Sequence, residues 1–174
     1  MRAMNYSAPF ARYLCDVVVI EDFKDLADVL AESLRESGLS VQVALDGRSA
    51  LEIARHSTAR VALVDYMLPD VTGIDLVARL RKQWPNTEFI LLSGNIGGVS
   101  ADLAQSLGIR MFLNKPVPMR ALCKAVHQLL RMPRSAASAG TDQRNWLSLG
   151  IGSPRHHALD PTGNVVQMPL APFR

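Results

Sequence analysis

Five side chains in this sequence could together act on phosphorus: the neighbours Glu21 and Asp22, then Asp65, Ser93 and Lys115. Each follows a short apolar run: Val17 to Ile20 before Glu21, Val61 to Val64 before Asp65, Phe89 to Leu92 before Ser93, and Met111 to Leu113 shortly before Lys115. Singly they are ordinary, since Asp after a strand is often a helix cap, and Asp22 or Asp25 could cap a first helix. Their joint placement is the informative feature. If the runs are parallel strands of one sheet, three carboxylates, a hydroxyl and an ammonium converge on one rim. Like charges about 4 Å apart repel by roughly 4 kcal/mol at an effective dielectric of 20, so the carboxylates require a cation among them. An all-oxygen set at a shallow rim suits Mg²⁺, which keeps several waters and completes its shell with phosphate oxygens. A carboxylate is then a competent nucleophile toward phosphorus, and lysine a suitable point charge for the incoming oxygens. The Ser93 hydroxyl can donate to a phosphoryl oxygen, and Gly94 beside it lets the backbone come close.

The elements that would position these groups alternate from Asp16 to about Met132. Val17 to Ile20 reads as a buried strand, and Leu26, Val29, Leu30 and Leu34 then recur at helical spacing until Gly38. Val41 and Val43 mark a second strand, and Ala50, Leu51 and Ala54 a short second helix. Val61 to Val64 is the third strand. The Pro- and Gly-containing segment Leu68 to Gly73 is a loop, followed by a helix with Ile74, Val77 and Ala78 inward and Arg79, Arg81 and Lys82 largely outward. Phe89 to Leu92 is strand four, Ser93 to Gly98 a glycine-rich loop, Ser100 to Leu107 a weak helix and Met111 to Leu113 strand five. Met119, Leu122, Val126, Leu129 and Leu130 give a last helix ending before Pro133. Strict alternation of five strands and five helices predicts a doubly wound α/β fold, with parallel strands and helices on both faces. In such sheets the site lies beyond the carboxyl ends of the strands, where strand order reverses.

Composition narrows the alternatives. The chain has 174 residues, 48% apolar and 20% charged, and its longest apolar runs are strand-sized, so no membrane span or membrane partner is expected. Residues 1–16 lack the apolar core of a secretory signal, which predicts a cytoplasmic protein. Cys15 and Cys123 lack the pairing of a disulfide framework or zinc site, and His56, His127, His156 and His157 lack ligand spacing. The net charge of +3 is too diffuse for a nucleic-acid surface, so no direct nucleic-acid partner is expected. No Gly-x-Gly-x-x-Gly follows strand one, which disfavours a dinucleotide-binding enzyme. Residues 134–174, with Ser135 to Gly140, Pro154, Pro161, Pro169 and Pro172, read as a disordered tail, in which Trp146-Leu147-Ser148-Leu149 is a candidate docking motif.

Four motifs, Val17 to Asp22, Val64 to Gly73, Leu92-Ser93-Gly94 and Phe112 to Pro116, carry a resemblance to the receiver domain of two-component response regulators, chemotaxis-regulator-like members included. The resemblance implies a flavodoxin-like, five-stranded parallel sheet of order 2-1-3-4-5 with helices on both faces. It implies that Asp65 is the phosphoacceptor, served by a sensor histidine kinase or histidine phosphotransfer protein. Asp22, Asp65 and the backbone carbonyl of Met67 would hold Mg²⁺, with Glu21 acting through water. Lys115 would pair with the phosphoryl group, Ser93 and Phe112 would form the switch pair, and the Lys115–Pro116 bond would be cis. Output would pass through the face made by helix 4, strand 5 and helix 5 to a downstream protein or a second copy of the chain.

Departures are few. Glu21 stands where Asp is commoner, and Met67 and Asn95 occupy positions where the family tunes dephosphorylation. The domains expected are an N-terminal extension (1–15), a receiver domain (16–133) and a tail without a recognisable output domain (134–174). The expected protein is a signalling phosphoacceptor that catalyses only its own phosphorylation and dephosphorylation. The alternatives are a phosphorylation-independent receiver-like adaptor and a truncated DNA-binding response regulator.

Overall fold

The computed structural model describes residues 13–94, 101–132, 157–159 and 165–167. Its elements run β1 (Tyr13–Ile20), α1 (Lys24–Glu36), β2 (Val41–Ala44), α2 (Gly47–His56), β3 (Ser57–Asp65), α3 (Gly73–Gln83), β4 (Glu88–Ser93), α4 (Ala101–Ser106), β5 (Ile109–Asn114) and α5 (Met119–Arg131). The five strands form one parallel sheet of order β2-β1-β3-β4-β5, the order the resemblance implies.

Strand periodicity sorts the core into two layers. Val17 and Val19 on β1 face Leu30 and Leu34 of α1 and Leu122, Val126 and Leu129 of α5. Val18 and Ile20, one residue out of phase, face α2, α3 and α4 through Ala50, Ala54, Leu76, Val77, Leu80 and Ala104. From Val17 to Ile20 both phases of β1 are fully buried, which is why this run is continuously apolar instead of alternating.

β1 and β3 are longer than their apolar runs. β1 starts at Tyr13 and β3 at Ser57, because Tyr13, Leu14 and Cys15 pair in register with Ser57, Thr58 and Ala59. Trp84 and Thr87 satisfy that polar end of β3: the Trp84 indole N–H donates to the Ser57 carbonyl at 2.7 Å, and the Thr87 hydroxyl to the Ala59 carbonyl at 2.6 Å. The expectation that Arg81 points largely outward is corrected. Its guanidinium donates to the carbonyls of Pro85, Thr87, Leu107 and Gly108, and lies 4.6 Å from the centre of the Phe89 ring. A long side chain with five donors can satisfy several loop carbonyls at once, an outcome that helical spacing does not encode.

Within residues 134–174, β6 (His157–Leu159) pairs antiparallel with β7 (Val165–Gln167). The intervening sequence holds Asp160, Pro161, Gly163 and Asn164, residue types that favour turns. The Trp146 motif, Asn95 and most of the N-terminal extension lie outside the described residues. No helix among the described residues is long and apolar enough to cross a membrane.

The Trp84 contact yields a stability test. Trp84→Phe keeps a ring in the core but leaves the buried Ser57 carbonyl without this donor. It is expected to lower unfolding free energy by about 1–3 kcal/mol, measured by urea denaturation followed by circular dichroism.

Candidate functional site

The site is assembled at the carboxyl edge of the sheet, above the switch in connection direction between β1 and β3. β1 ends at Ile20 and delivers Glu21 and Asp22, and β3 ends at Asp65. Glu21, Asp22 and Asp65 each place a carboxylate oxygen within 4.8 Å of the others. Glu21 and Asp65 are buried, while Asp22 is exposed at the mouth. α1 begins at the N-cap Phe23 with no side-chain cap bond, so Asp22 is not that cap and belongs with the carboxylate cluster.

β5 supplies the opposing charge. Just past its end, the Lys115 ammonium reaches across β4 to the Glu21 carboxylate at 2.6 Å and the Asp65 carboxylate at 3.0 Å. The backbone helps to aim it, because the Lys115 N–H donates to the Ser93 carbonyl at 2.9 Å; the Lys115–Pro116 bond is cis. Burial works to lower the Lys115 ammonium, but its bonds to Glu21 and Asp65 prevail and hold it above its ordinary value. Burial pushes the Glu21 carboxyl up; the bond from Lys115 opposes this without cancelling it.

Ser93 closes β4 as a buried residue beside this pocket, and its register partner on β5 is Asn114. Phe112, two residues earlier on β5, is partly buried against the α2–α4 side of the core. Among the described residues, no atom lies within 4 Å of where a Cβ on Gly94 would sit.

Met67 lies in the β3–α3 loop, two residues past Asp65, with an exposed side chain. This loop is tightly closed. Met67 and Thr72 form an isolated antiparallel bridge, and the Gly73 N–H donates to the Tyr66 carbonyl at 2.7 Å. A Cβ on Gly73 would lie 2.4 Å from the Asp65 carbonyl oxygen and 2.9 Å from the Tyr66 Cα, so α3 can start this close to the Asp65 backbone only with glycine there. In the sequence Gly73 marks a loop and closes the Val64 to Gly73 motif; its close approach to the Asp65 backbone is a property of the folded loop.

The arrangement offers a divalent cation three carboxylate oxygens, with a lysine positioned to meet further negative charge. Comparisons with known proteins identify the family. Residues 17–127 match the family model described as the response regulator receiver domain. The chain is 29% identical over 164 residues to the sensory transduction protein RegX3 of Mycolicibacterium smegmatis, covering 92% of this chain and 70% of that one. It superposes on the receiver domain of the Francisella response regulator 1452 with a TM-score of 0.60 and 31% identity, covering 66% of this chain and 95% of that one. A response regulator protein from Burkholderia pseudomallei, solved with a phosphorylated aspartic acid, a calcium ion and citrate, matches with a TM-score of 0.57 and 27% identity, covering 64% of this chain and 66% of that one.

The raised Glu21 carboxyl has a testable consequence. It binds its proton more tightly in the folded chain than in the unfolded one, so ionisation lowers stability as pH climbs above 4.5. In chelator at pH 7, Glu21→Gln is expected to raise the urea midpoint. The gain should vanish below pH 4.5, where the carboxyl is protonated in both states.

Proposed function

The chain belongs to the response regulator receiver domain family, and we propose that it acts as a phosphoacceptor in a two-component phosphorelay. The observation that carries this reading is the Lys115 ammonium set between the buried carboxylates Glu21 and Asp65. That geometry suits a pocket built for additional negative charge.

In this reading an Asp65 carboxylate oxygen attacks the phosphorus of a phosphohistidine on a sensor kinase or phosphotransfer protein. The new P–O bond forms as the P–N bond breaks, and the imidazole leaves with the electron pair. Lys115 pairs with a phosphoryl oxygen. The Ser93 hydroxyl donates to another, and Phe112 turns toward the space this leaves.

The donor set fits Mg²⁺: the oxygens are hard, mutually close and open to solvent through Asp22. Asp22, Asp65 and the Met67 carbonyl would hold it, with Glu21 reaching it through water. Mg²⁺ when bound would neutralise charge on the transferring group. The likeness to the Burkholderia protein, which was solved with a phosphorylated aspartic acid and a calcium ion, supports the same chemistry here.

The added phosphoryl group carries nearly two negative charges and three strong acceptors. The pull on Ser93 and Lys115 is relayed through β4 and β5 to the face formed by α4, β5 and α5, which contacts a downstream protein or a second copy. Catalysis is confined to the protein's own phosphorylation and dephosphorylation, in the cytoplasm.

One observation favours a second reading of the tail. Similarity to the Mycolicibacterium relative covers 92% of the chain and so extends past residue 133. The segment after α5 would then be part of an output unit instead of a free tail.

Intact mass after incubation with acetyl phosphate and Mg²⁺ tests the phosphoacceptor. One phosphoryl adduct is expected, absent with chelator and absent in Asp65→Asn. A folded wild type that gains no adduct from acetyl phosphate or from a second phosphodonor would instead support the phosphorylation-independent adaptor.

A further inference from the structure

The β3–α3 loop is fastened to an element that plays no part in the site itself. The Asp70 carboxylate accepts one bond on each oxygen, from the Gly47 N–H at 2.9 Å and the Arg48 N–H at 3.0 Å. These are two of the N–H groups that the start of α2 leaves without partners inside the helix, and the positive end of the helix dipole favours a carboxylate there.

α2 already has a cap of its own. The Asp46 side chain accepts from the Ser49 N–H at 2.6 Å, and the Ser49 hydroxyl closes the reciprocal capping box. The Asp70 contact is therefore a second fastening at the same helix end, and what it fastens is the loop. The seam is closely fitted. A Cβ on Gly47 would lie 2.4 Å from Val71 Cγ1 and 3.2 Å from each Asp70 carboxylate oxygen.

We propose that Asp70 is a positioning residue for the cation site: by anchoring the β3–α3 loop on α2, it sets where the Met67 carbonyl stands relative to Asp65. This inference rests on the reading that Asp22, Asp65 and the Met67 carbonyl hold a divalent cation. A carboxylate ligand can adjust through its own side-chain torsions. A backbone carbonyl can be aimed only by the chain that carries it, so its placement depends on what fixes that chain. The loop is held at its base by the Met67–Thr72 bridge and the Gly73–Tyr66 bond, and near its tip, among the described residues, by the two bonds that Asp70 accepts from α2. Releasing the tip lets the segment carrying Met67 sample other orientations while Asp65, fixed in β3, stays in place.

The test uses full-length, unphosphorylated protein with Mn²⁺ as the probe, a cation that also prefers oxygen ligands, and reads free Mn²⁺ by electron paramagnetic resonance. Wild type should take up one Mn²⁺. Asp70→Ala should weaken that binding by about tenfold, the lower end for a residue that supports a ligand without touching the metal. Asp70→Asn, which keeps one acceptor oxygen, should fall between them. Asp46→Ala is the control: it removes a cap from the same helix end without releasing the loop, so it should lower thermal stability and leave Mn²⁺ affinity unchanged. If Asp70→Ala does not fold, Gly47→Ala, which displaces Val71 with Asp70 intact, should weaken binding in the same direction. Wild-type affinity in folded Asp70→Ala, or equal weakening in Asp70→Ala and Asp46→Ala, would overturn the proposal. A wild type that binds no Mn²⁺ would overturn the cation reading itself, and the proposal with it.

Discussion

Three carboxylate oxygens within 4.8 Å of one another at the edge of an apolar sheet form an arrangement that folding alone would not favour. Glu21 and Asp65 are nearly removed from solvent, and the cationic side chain that reaches them both is Lys115. The pocket is thus held together by a charge balance that an arriving anion or cation must alter. A second cation would relieve the carboxylates, and a phosphoryl group would give Lys115 a new partner. This electrostatic constraint is what the rest of the fold has to support.

The support is rigid where the charges originate. β1 and β3 lie side by side in the middle of the sheet, buried on both faces, so Glu21 and Asp65 project from strands that have little freedom to relax apart. Lys115 arrives from the edge strand β5, and its backbone bond to the Ser93 carbonyl continues the β4–β5 ladder up to the pocket. Rigid carboxylates on central strands and a flexible ammonium on an edge strand divide the work sensibly. The acidic geometry is fixed by the central strands, whereas the ammonium that balances it sits on a long stem.

The connections add a second layer of control. Gly73 brings α3 against the Asp65 backbone, and Asp70 ties the same loop to α2. At the amino edge of the sheet, opposite the site, Arg81 gathers carbonyls from the α3–β4 and α4–β5 connections while lying over Phe89. Loops that would otherwise be loose are thereby referred to the helices beside them.

The strands, the helices, their alternation and the residues at each strand end were legible in the sequence, because apolar periodicity and Gly or Pro punctuation are local properties. Glu21, Asp22, Asp65 and Lys115 could be expected to meet because parallel topology carries every strand end to the same edge. What local pattern could not supply was the set of polar contacts made across long intervals: Trp84 with Ser57, Arg81 with Leu107 and Gly108, Asp70 with Gly47. Those depend on which loop lies beside which helix and on the rotamer each long side chain adopts there. The same limit hid the early start of β1, whose first residues are held by pairing with β3, and the β6–β7 pairing in a segment whose composition suggested only a tail. The sequence by itself determined the order of elements and the chemistry placed at their ends. Only the tertiary structure decided how closely those groups approach and what holds their loops, because both depend on contacts between residues that the chain keeps far apart.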